Sequence, residues 1–213
     1  MAKKLDFNGV EVFLLPQKAV FVPLYNTLVI SDWHLGKLGH FRQEGLFVPP
    51  MQLVHEFARV EELLLELPVK KVIFLGDLFH SNWNTEWDEF VLFLKKYPQI
   101  EFILTKGNHD ILPKDMLHSA LHIKDEYLLT EGLVFSHQPI IGLPDYIYNI
   151  VGHIHPGCVI TTKGRQHFRL PCFHLEDKVL TVPAFGKWTG LHILHKDEDS
   201  RIFAVVGDGV VEV

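Results

Sequence analysis

Residues of the types that commonly bind metal ions follow directly after several short apolar runs of this sequence. The run Val29-Ile30 leads into an Asp-x-His pair, Phe74-Leu75 leads into Gly-Asp, and Leu104 leads into a Gly-Asn-His-Asp cluster. Two further histidine clusters follow apolar runs later in the chain. The five clusters are Asp32-x-His34, Gly76-Asp77, Gly107-Asn108-His109-Asp110, Ser136-His137 and Gly152-His153-x-His155.

These side chains offer carboxylate, amide and imidazole atoms but no thiolate. Such a set suits divalent ions such as Mn, Fe, Zn or Ni and disfavours a structural zinc site rich in cysteine. The two cysteines, Cys158 and Cys172, stand apart from the clusters. A one-residue gap places two side chains on the same side of an extended backbone, so we expect each Asp-x-His or His-x-His pair to face one metal pocket.

The elements around the first three clusters predict a parallel sheet. Strands are expected at Thr27–Ile30, Lys71–Leu75 and Glu101–Thr105, with helices at Pro50–Leu67 and Thr85–Tyr97 between them. This alternation predicts crossover connections. The loops that leave the carboxyl ends of parallel strands share one edge of the sheet, so the clusters should converge there.

Short strands separated by Pro and Gly predict a second, more antiparallel sheet after Leu133. Two mixed sheets packed face to face and flanked by helices form a four-layer α/β/β/α sandwich, the α/β architecture that we predict for a single domain over residues 1–213. The strands expected in this half are Leu133–Phe135, Asn149–Val151, Gln166–Leu170, Val179–Val182, Leu191–Leu194 and Ile202–Val206, after hairpin strands at Val10–Leu15 and Ala19–Val22.

The order of the five clusters, from Asp32 to His155, resembles the calcineurin-like metallophosphoesterase superfamily. The resemblance implies two divalent ions, most simply Mn, with Fe, Zn, Ni or Mg as alternatives, and hydrolysis of phosphodiesters or phosphomonoesters by a metal-bridging hydroxide. One ion would be held by Asp32, His34, Asp77 and His155, and the other by Asp77, Asn108, His137 and His153.

The same resemblance gives roles to two residues beside the ligands. His109 would act on the scissile phosphate as a general acid or hydrogen-bond donor, and Asp110 would orient it. Lys37 and Arg42 follow the first ligand pair, where a cation could grip a substrate phosphate. Solvated loop cations are an equally good interpretation of both. His80, close to Asp77 in sequence, is a weaker candidate for contact with the site.

A narrower resemblance covers nearly the whole chain. Residues 32–37, 41–45, 152–156, 169–173 and 183–190 resemble the ligase-associated DNA damage response endonucleases of the PdeM type. This implies a nuclease or phosphodiesterase associated with DNA repair, with a DNA ligase and a helicase as partners. Base stacking is one interpretation of Phe41, Trp83, Trp87 and Trp188, although core or rim packing is the more usual role of such residues.

Two other functions stay open at this point: a phosphoesterase of small nucleotides or of lipid-linked pyrophosphates, and a metal-dependent scaffold in a ligase or helicase complex. The formal net charge of −6 argues against binding nucleic acid through bulk basic charge, although bound cations would reverse the local field. The first residues do not form a signal peptide and no apolar run is long enough for a membrane span, so we expect a cytoplasmic protein with free thiols.

Overall fold

In the residues that the structure describes, the regular structure consists of two β-sheets, two α-helices and one short 3-10 helix. The computed structural model describes residues 1–37, 45, 51–80, 85–110, 121–124, 126–130, 132–195 and 197–213. Within these residues no helix is both long enough and apolar enough to cross a membrane. Cys158 and Cys172 are buried and free.

The first sheet combines an antiparallel and a parallel half. Its strand order is β1-β2-β3-β4-β5-β6-β7, with antiparallel pairing from β1 to β4 and parallel pairing from β4 to β7. A 3-10 helix, Pro23–Tyr25, leads into β4. The strands are β1 Lys3–Phe7, β2 Val10–Leu15, β3 Ala19–Val22, β4 Thr27–Ile30, β5 Lys71–Leu75, β6 Glu101–Thr105 and β7 His122–Lys124.

Both described α-helices pack against one face of this sheet. Helix α1, Met51–Glu66, follows β4, and helix α2, Thr85–Lys95, follows β5. Both helices end shortly before a proline, at Pro68 and Pro98, because proline cannot supply the backbone N–H that a helix interior needs. The helices and alternate residues of the sheet form one apolar cluster, which includes Val60, Leu63, Phe74, Phe90 and Leu104.

The second sheet is mixed, and most of its pairings are antiparallel. Its order is β14-β11-β12-β13-β10-β9-β8, and β15 joins β12 to β16. The neighbours β9, β10 and β13 run parallel. The strands are β8 Glu126–Thr130, β9 Leu133–Ser136, β10 Tyr148–Val151, β11 Pro156–Thr161, β12 His167–Glu176, β13 Val179–Thr181, β14 His192–Ile193, β15 Arg201–Val206 and β16 Gly209–Glu212.

The main core lies between the two sheets. Residues of the first sheet that point away from the helices, such as Val29, Ile73 and Ile103, meet Phe135, Phe173 and Phe203 of the second sheet in one buried cluster. The predicted fold of two facing mixed sheets with helices is confirmed, including the parallel β4-α1-β5-α2-β6 series. In the described residues both α-helices lie on the first sheet, and the outer face of the second carries a small cluster around Cys158, Cys172, Ile202 and Ala204.

Candidate metal centre

The five predicted clusters come together at one edge of the facing sheets. Three of them follow the parallel strands β4, β5 and β6, and the other two follow the parallel strands β9 and β10. Parallel strands present their carboxyl ends at the same edge, and here the edges of both sheets coincide. The fold therefore brings the five clusters together, as the sequence predicted.

The first group of possible metal ligands contains Asp32, His34 and His155, whose ligand atoms all lie within 4.8 Å of one another. The Nε2 atoms of His34 and His155 are 3.2 Å apart. His155 Nε2 also lies 3.3 Å from Asp32 Oδ1. Asp32 and His34 are buried and His155 is half-buried, so solvent reaches the group from the side of His155.

The second group contains Asp77, His137 and His153, with the same maximum separation of 4.8 Å. His137 Nε2 lies 3.5 Å from Asp77 Oδ1 and 3.0 Å from His153 Nδ1. The side-chain oxygen of Asn108 is 3.1 Å from the same Nε2 atom, so Asn108 borders this group. With a limit of 4.8 Å between ligand atoms, Asp77 falls in the second group. Its role as a ligand shared by both metal ions stays a prediction.

Backbone hydrogen bonds connect the two groups. The backbone N–H of His153, in the second group, donates to Asp32 Oδ2 of the first group over 2.9 Å. Ser31 Oγ donates to the same carboxylate oxygen. These bonds fix the orientation of the Asp32 carboxylate and leave its second oxygen, Oδ1, directed at His155.

Both groups fit a divalent cation, because their donor atoms converge and, in the first group, two buried side-chain atoms have no hydrogen-bond partner among the described residues. Within the described residues no hydrogen bond reaches Asp32 Oδ1 or His34 Nδ1, and both atoms are buried. His137 Nδ1 lies 2.9 Å from the carbonyl oxygen of Leu75, which can only accept, so Nδ1 carries the proton. His137 Nε2 is then free to bind a metal, the arrangement usual for ligating histidines.

The electrostatics of the pocket favour protonation states that bind cations. Burial lowers the pKa of His34 to about 3, so its imidazole is neutral near pH 7. Burial alone would raise the pKa of Asp32, but the neighbouring His155 and Ser31 hold it below its ordinary value. Burial also lowers the pKa of His153. Neutral imidazoles beside an ionised carboxylate need not lose a proton when a cation binds.

Unusual backbone conformations place these side chains. Five candidate ligands have positive φ, a region that residues other than glycine rarely adopt. The expectation that Asp-x-His and His-x-His lie on extended backbone is therefore wrong. Asp32 and His34 still reach one group, whereas His153 and His155 join different groups because the chain turns between them. The φ values are 49° at Asp32, 54° at His34, 46° at Asp77, 75° at His153 and 50° at His155.

Glycines beside the ligands make room for this close packing. A Cβ atom on Gly152 would clash with Ser31 Oγ and with the Asp32 carboxylate. A Cβ on Gly107 would likewise clash with the side chain and backbone of Asp77. Glycine is thus required where the loops of the two groups cross.

His109 and Asp110 occupy different environments. The side chain of His109 is exposed, its ring centroid lies 5.6 Å from that of His34, and its backbone N–H donates to Asp77 Oδ1. Asp110 is fully buried, and its described hydrogen bonds come from backbone N–H groups of Leu78, Phe79 and Gly107. Asp110 therefore ties the loop after β6 to the loop after β5, and any influence on His109 passes through this loop.

The remaining candidates are placed as follows. The ring of His80 lies 5.4 Å from that of His34 and 5.5 Å from that of His109, between centroids, so it borders the site as the weaker interpretation expected. Lys37 is half-buried and lines a narrow crevice together with His34, and burial lowers its pKa. Arg42 lies outside the described residues.

One group of contributing residues was not predicted from the sequence. Glu56 of α1 accepts hydrogen bonds from Trp33 Nε1, at 3.0 Å, and from the backbone N–H of Lys187, at 2.8 Å. Arg59 donates to the carbonyl of Phe185 and stacks 3.7 Å above the ring of the same residue. The available signal was the position of Glu56, a carboxylate within the otherwise apolar stripe of α1.

Comparison with known proteins identifies relatives of the whole arrangement. The sequence model of the calcineurin-like phosphoesterase family matches residues 25–208. A search of curated proteins finds no match. The nuclease MPE of Pseudomonas putida is a structural neighbour with a TM-score of 0.80 and 25% sequence identity, and the alignment covers 100% of both chains.

Two further solved structures show a weaker likeness. A protein of unknown function from Aquifex aeolicus has a TM-score of 0.44 and 20% identity over 61% of this chain and 78% of its own. The phosphoesterase Yfce from E. coli has a TM-score of 0.44 and 15% identity over 88% of this chain and 97% of its own.

Proposed function

This chain belongs to the calcineurin-like phosphoesterase family, and we propose that it is a nuclease or phosphodiesterase that cleaves nucleic acid with two divalent metal ions. Membership makes the protein a hydrolase of phosphoester bonds from a family that uses divalent metals. Beyond family membership, we propose that two ions are bound, that they are manganese and that the substrate is a nucleic acid.

The observation that carries the proposal is the presence of two adjacent ligand groups, Asp32-His34-His155 and Asp77-His137-His153. Two ions bound there would supply Lewis-acid activation of water and neutralise charge on the phosphoryl oxygens. We assign Asp77 as the residue shared by both ions and Asn108 as a further ligand of the second. The carboxylate and amide oxygens suit manganese, our first choice, while the imidazoles keep Fe, Zn and Ni as alternatives.

The chain itself contributes proton transfer and positioning. His109 is exposed beside His34, where its imidazole can donate a proton to the leaving oxygen of the substrate. Its backbone N–H holds the Asp77 carboxylate, so the proposed acid and the proposed shared ligand are fixed relative to each other. Asp110 keeps this loop in place from beneath.

The likeness to the Pseudomonas putida protein supports nucleic acid as the substrate. That protein is a nuclease by name, and it matches this chain over its full length. A role in DNA repair and the ligase and helicase partners rest on the sequence resemblance alone and remain predictions.

A direct activity assay tests the proposal. The purified protein with Mn²⁺ should hydrolyse bis(p-nitrophenyl) phosphate, lose this activity in EDTA and regain it when Mn²⁺ is restored. A panel of single-stranded, nicked and duplex DNA, cyclic nucleotides and nucleoside monophosphates then identifies the substrate class. Full activity in Asp77→Ala would refute the metal assignment, and turnover of small nucleotides without any DNA cleavage would refute the nuclease assignment.

A further inference from the structure

A short exposed segment of the chain joins the backbones of two candidate ligands. We call residues Lys187–His192 the rim segment. Just before it, the backbone N–H of Gly186 donates to the carbonyl of Asp32, and at its end the N–H of His192 donates to the carbonyl of His155. Asp32 and His155 both belong to the first ligand group, so the rim segment borders that group from one side to the other.

Hydrogen bonds from polar side chains, one of them the buried Glu56, hold the start of the rim segment in place. The N–H of Lys187 donates to Glu56 Oε1, and the carbonyl of Gly186 accepts from Lys18 Nζ at 3.1 Å and from Thr189 Oγ1 at 3.2 Å. A Cβ atom on Gly186 would clash with the carbonyl of Trp33. The segment is thus built into the edge of the site at a fixed position.

The rim segment exposes an aromatic ring and a cation next to each other. Lys187 is exposed, and Trp188 and Leu191 retain 44% and 37% of their accessible surface. The six residues include no carboxylate, in a chain with a net charge of −6. Lys187 and Trp188 line the same crevice as His34 and Lys37, so the exposed ring and the lysine lie beside the first ligand group.

We propose that the rim segment binds an unpaired nucleic-acid strand next to the phosphate that is cleaved, with Trp188 stacking on a base and Lys187 pairing with a backbone phosphate. This inference rests on the proposed function and narrows its substrate to strands with exposed bases. An aromatic face can stack only on a base that has left the duplex stack, and interleaved aromatic and basic side chains are typical of single-strand binding. Because the segment is already ordered, little conformational entropy is lost on binding.

The test compares two substrates in the manganese-loaded protein. One is a labelled single-stranded oligonucleotide, in which the base next to the cleaved phosphate can contact the rim segment. The other is bis(p-nitrophenyl) phosphate, which carries no base. Trp188→Ala should raise KM for the oligonucleotide about ten-fold and leave KM for bis(p-nitrophenyl) phosphate nearly unchanged. Trp188→Phe should restore most of the affinity, because phenylalanine also offers an aromatic face.

Matched controls come from the opposite edge of the sheets. Tyr146, which is 59% exposed, precedes the amino end of β10, whereas the site follows its carboxyl end. Tyr146→Ala should leave both substrates unaffected. Lys70, exposed at the amino end of β5, is the control for Lys187→Gln, which should raise KM for the oligonucleotide in a salt-dependent manner.

The outcomes separate this inference from the proposed function. A wild-type protein that fails to hydrolyse bis(p-nitrophenyl) phosphate refutes the proposed function. If the wild-type protein hydrolyses it but Trp188→Ala and Tyr146→Ala cleave the oligonucleotide equally well, the inference alone is wrong. A wild-type preference for blunt duplex over single strand also refutes the inference alone, whereas no cleavage of any DNA refutes the nuclease assignment and the inference with it.

Discussion

His34 Nε2 lies 3.2 Å from His155 Nε2, although 121 residues separate the two in the chain. Burial keeps His34 neutral by lowering its pKa to about 3. Two imidazole nitrogens face each other across this distance, and the Asp32 carboxylate lies 3.3 Å from one of them, so three potential metal-binding atoms surround one point. A cation between them would satisfy all three groups at once, which is why we interpret the arrangement as one half of a metal centre.

Substituting His109 should distinguish proton donation from metal binding. His109→Ala is expected to lower kcat for a DNA phosphodiester by about 10²–10⁴-fold, because the alkoxide leaving group needs a proton. The loss on bis(p-nitrophenyl) phosphate should be much smaller, because nitrophenolate leaves without one. Steady-state kinetics on both substrates, with exposed His55→Ala as the control, measure this. Equal losses on the two substrates would contradict the general-acid role.

Substituting Gly152 should disturb the first ligand group through Asp32. In Gly152→Ala the new methyl group would displace Ser31 and the Asp32 carboxylate, so bound manganese should fall to about one ion per chain and activity should be lost. Metal analysis of the purified protein measures the change. Gly164→Ala is the matched control, since a Cβ there meets nothing closer than 4.0 Å. Full metal content in Gly152→Ala would show that the loops can move apart.

Substituting Asp110 should cost stability. The carboxylate accepts three backbone hydrogen bonds in a fully buried position. In Asp110→Asn the amide NH₂ would face the N–H of Gly107 and leave a buried donor unpaired, at a cost of about 1–3 kcal/mol in the free energy of unfolding. Urea denaturation measures this, with exposed Asp145→Asn as the control. Identical stability of the two variants would contradict the assigned contacts.

Lys18 should make stability depend on pH. Burial, together with the charge of Arg59, lowers the pKa of Lys18 from 10.5 to about 7. Between these values the unfolded chain holds a proton that the folded chain has released, so this residue makes the free energy of unfolding rise with pH across that window. The slope cannot exceed about 1.4 kcal/mol per pH unit.

Lys18→Met removes that titration while preserving the length of the side chain. The variant should therefore gain stability relative to the wild type at pH 7, and the gain should shrink as the pH approaches 10.5. Urea denaturation of both proteins across this range measures the difference, in which all other titrating groups cancel. Parallel stability curves would mean that the Lys18 ammonium is not destabilised by burial.

Much of the fold followed from patterns that lie within single segments. The strands β2 to β6 were predicted with the bounds that the structure shows, because continuous apolar runs end there at Pro, Gly or polar residues. The strands that the sequence did not predict are β1, β7, β8, β11 and β16. Strands β1, β7, β8 and β16 lie at the edges of their sheets, and β11 begins with Pro156-Gly157, a pair that usually marks a turn. Their pairing depends on partners distant in sequence.

The site was predictable in composition but not in geometry. The residue types and their order in the sequence predicted that six side chains would lie close together, because each follows a strand whose end lies at the same edge of the fold. These are Asp32, His34, Asp77, His137, His153 and His155. The positive φ values that separate His153 from His155 were not predictable, since local spacing favours extended backbone and only tertiary packing stabilises the alternative. The same holds for Glu56, whose partners Trp33 and Lys187 lie far away in sequence.

The most direct test of the central claim is anomalous diffraction at the manganese edge from crystals grown with Mn²⁺. We predict two anomalous peaks, one in contact with Asp32, His34 and His155, and the other in contact with Asn108, His137 and His153, with Asp77 touching both. A single peak, or peaks that contact neither group, would contradict the two-metal centre.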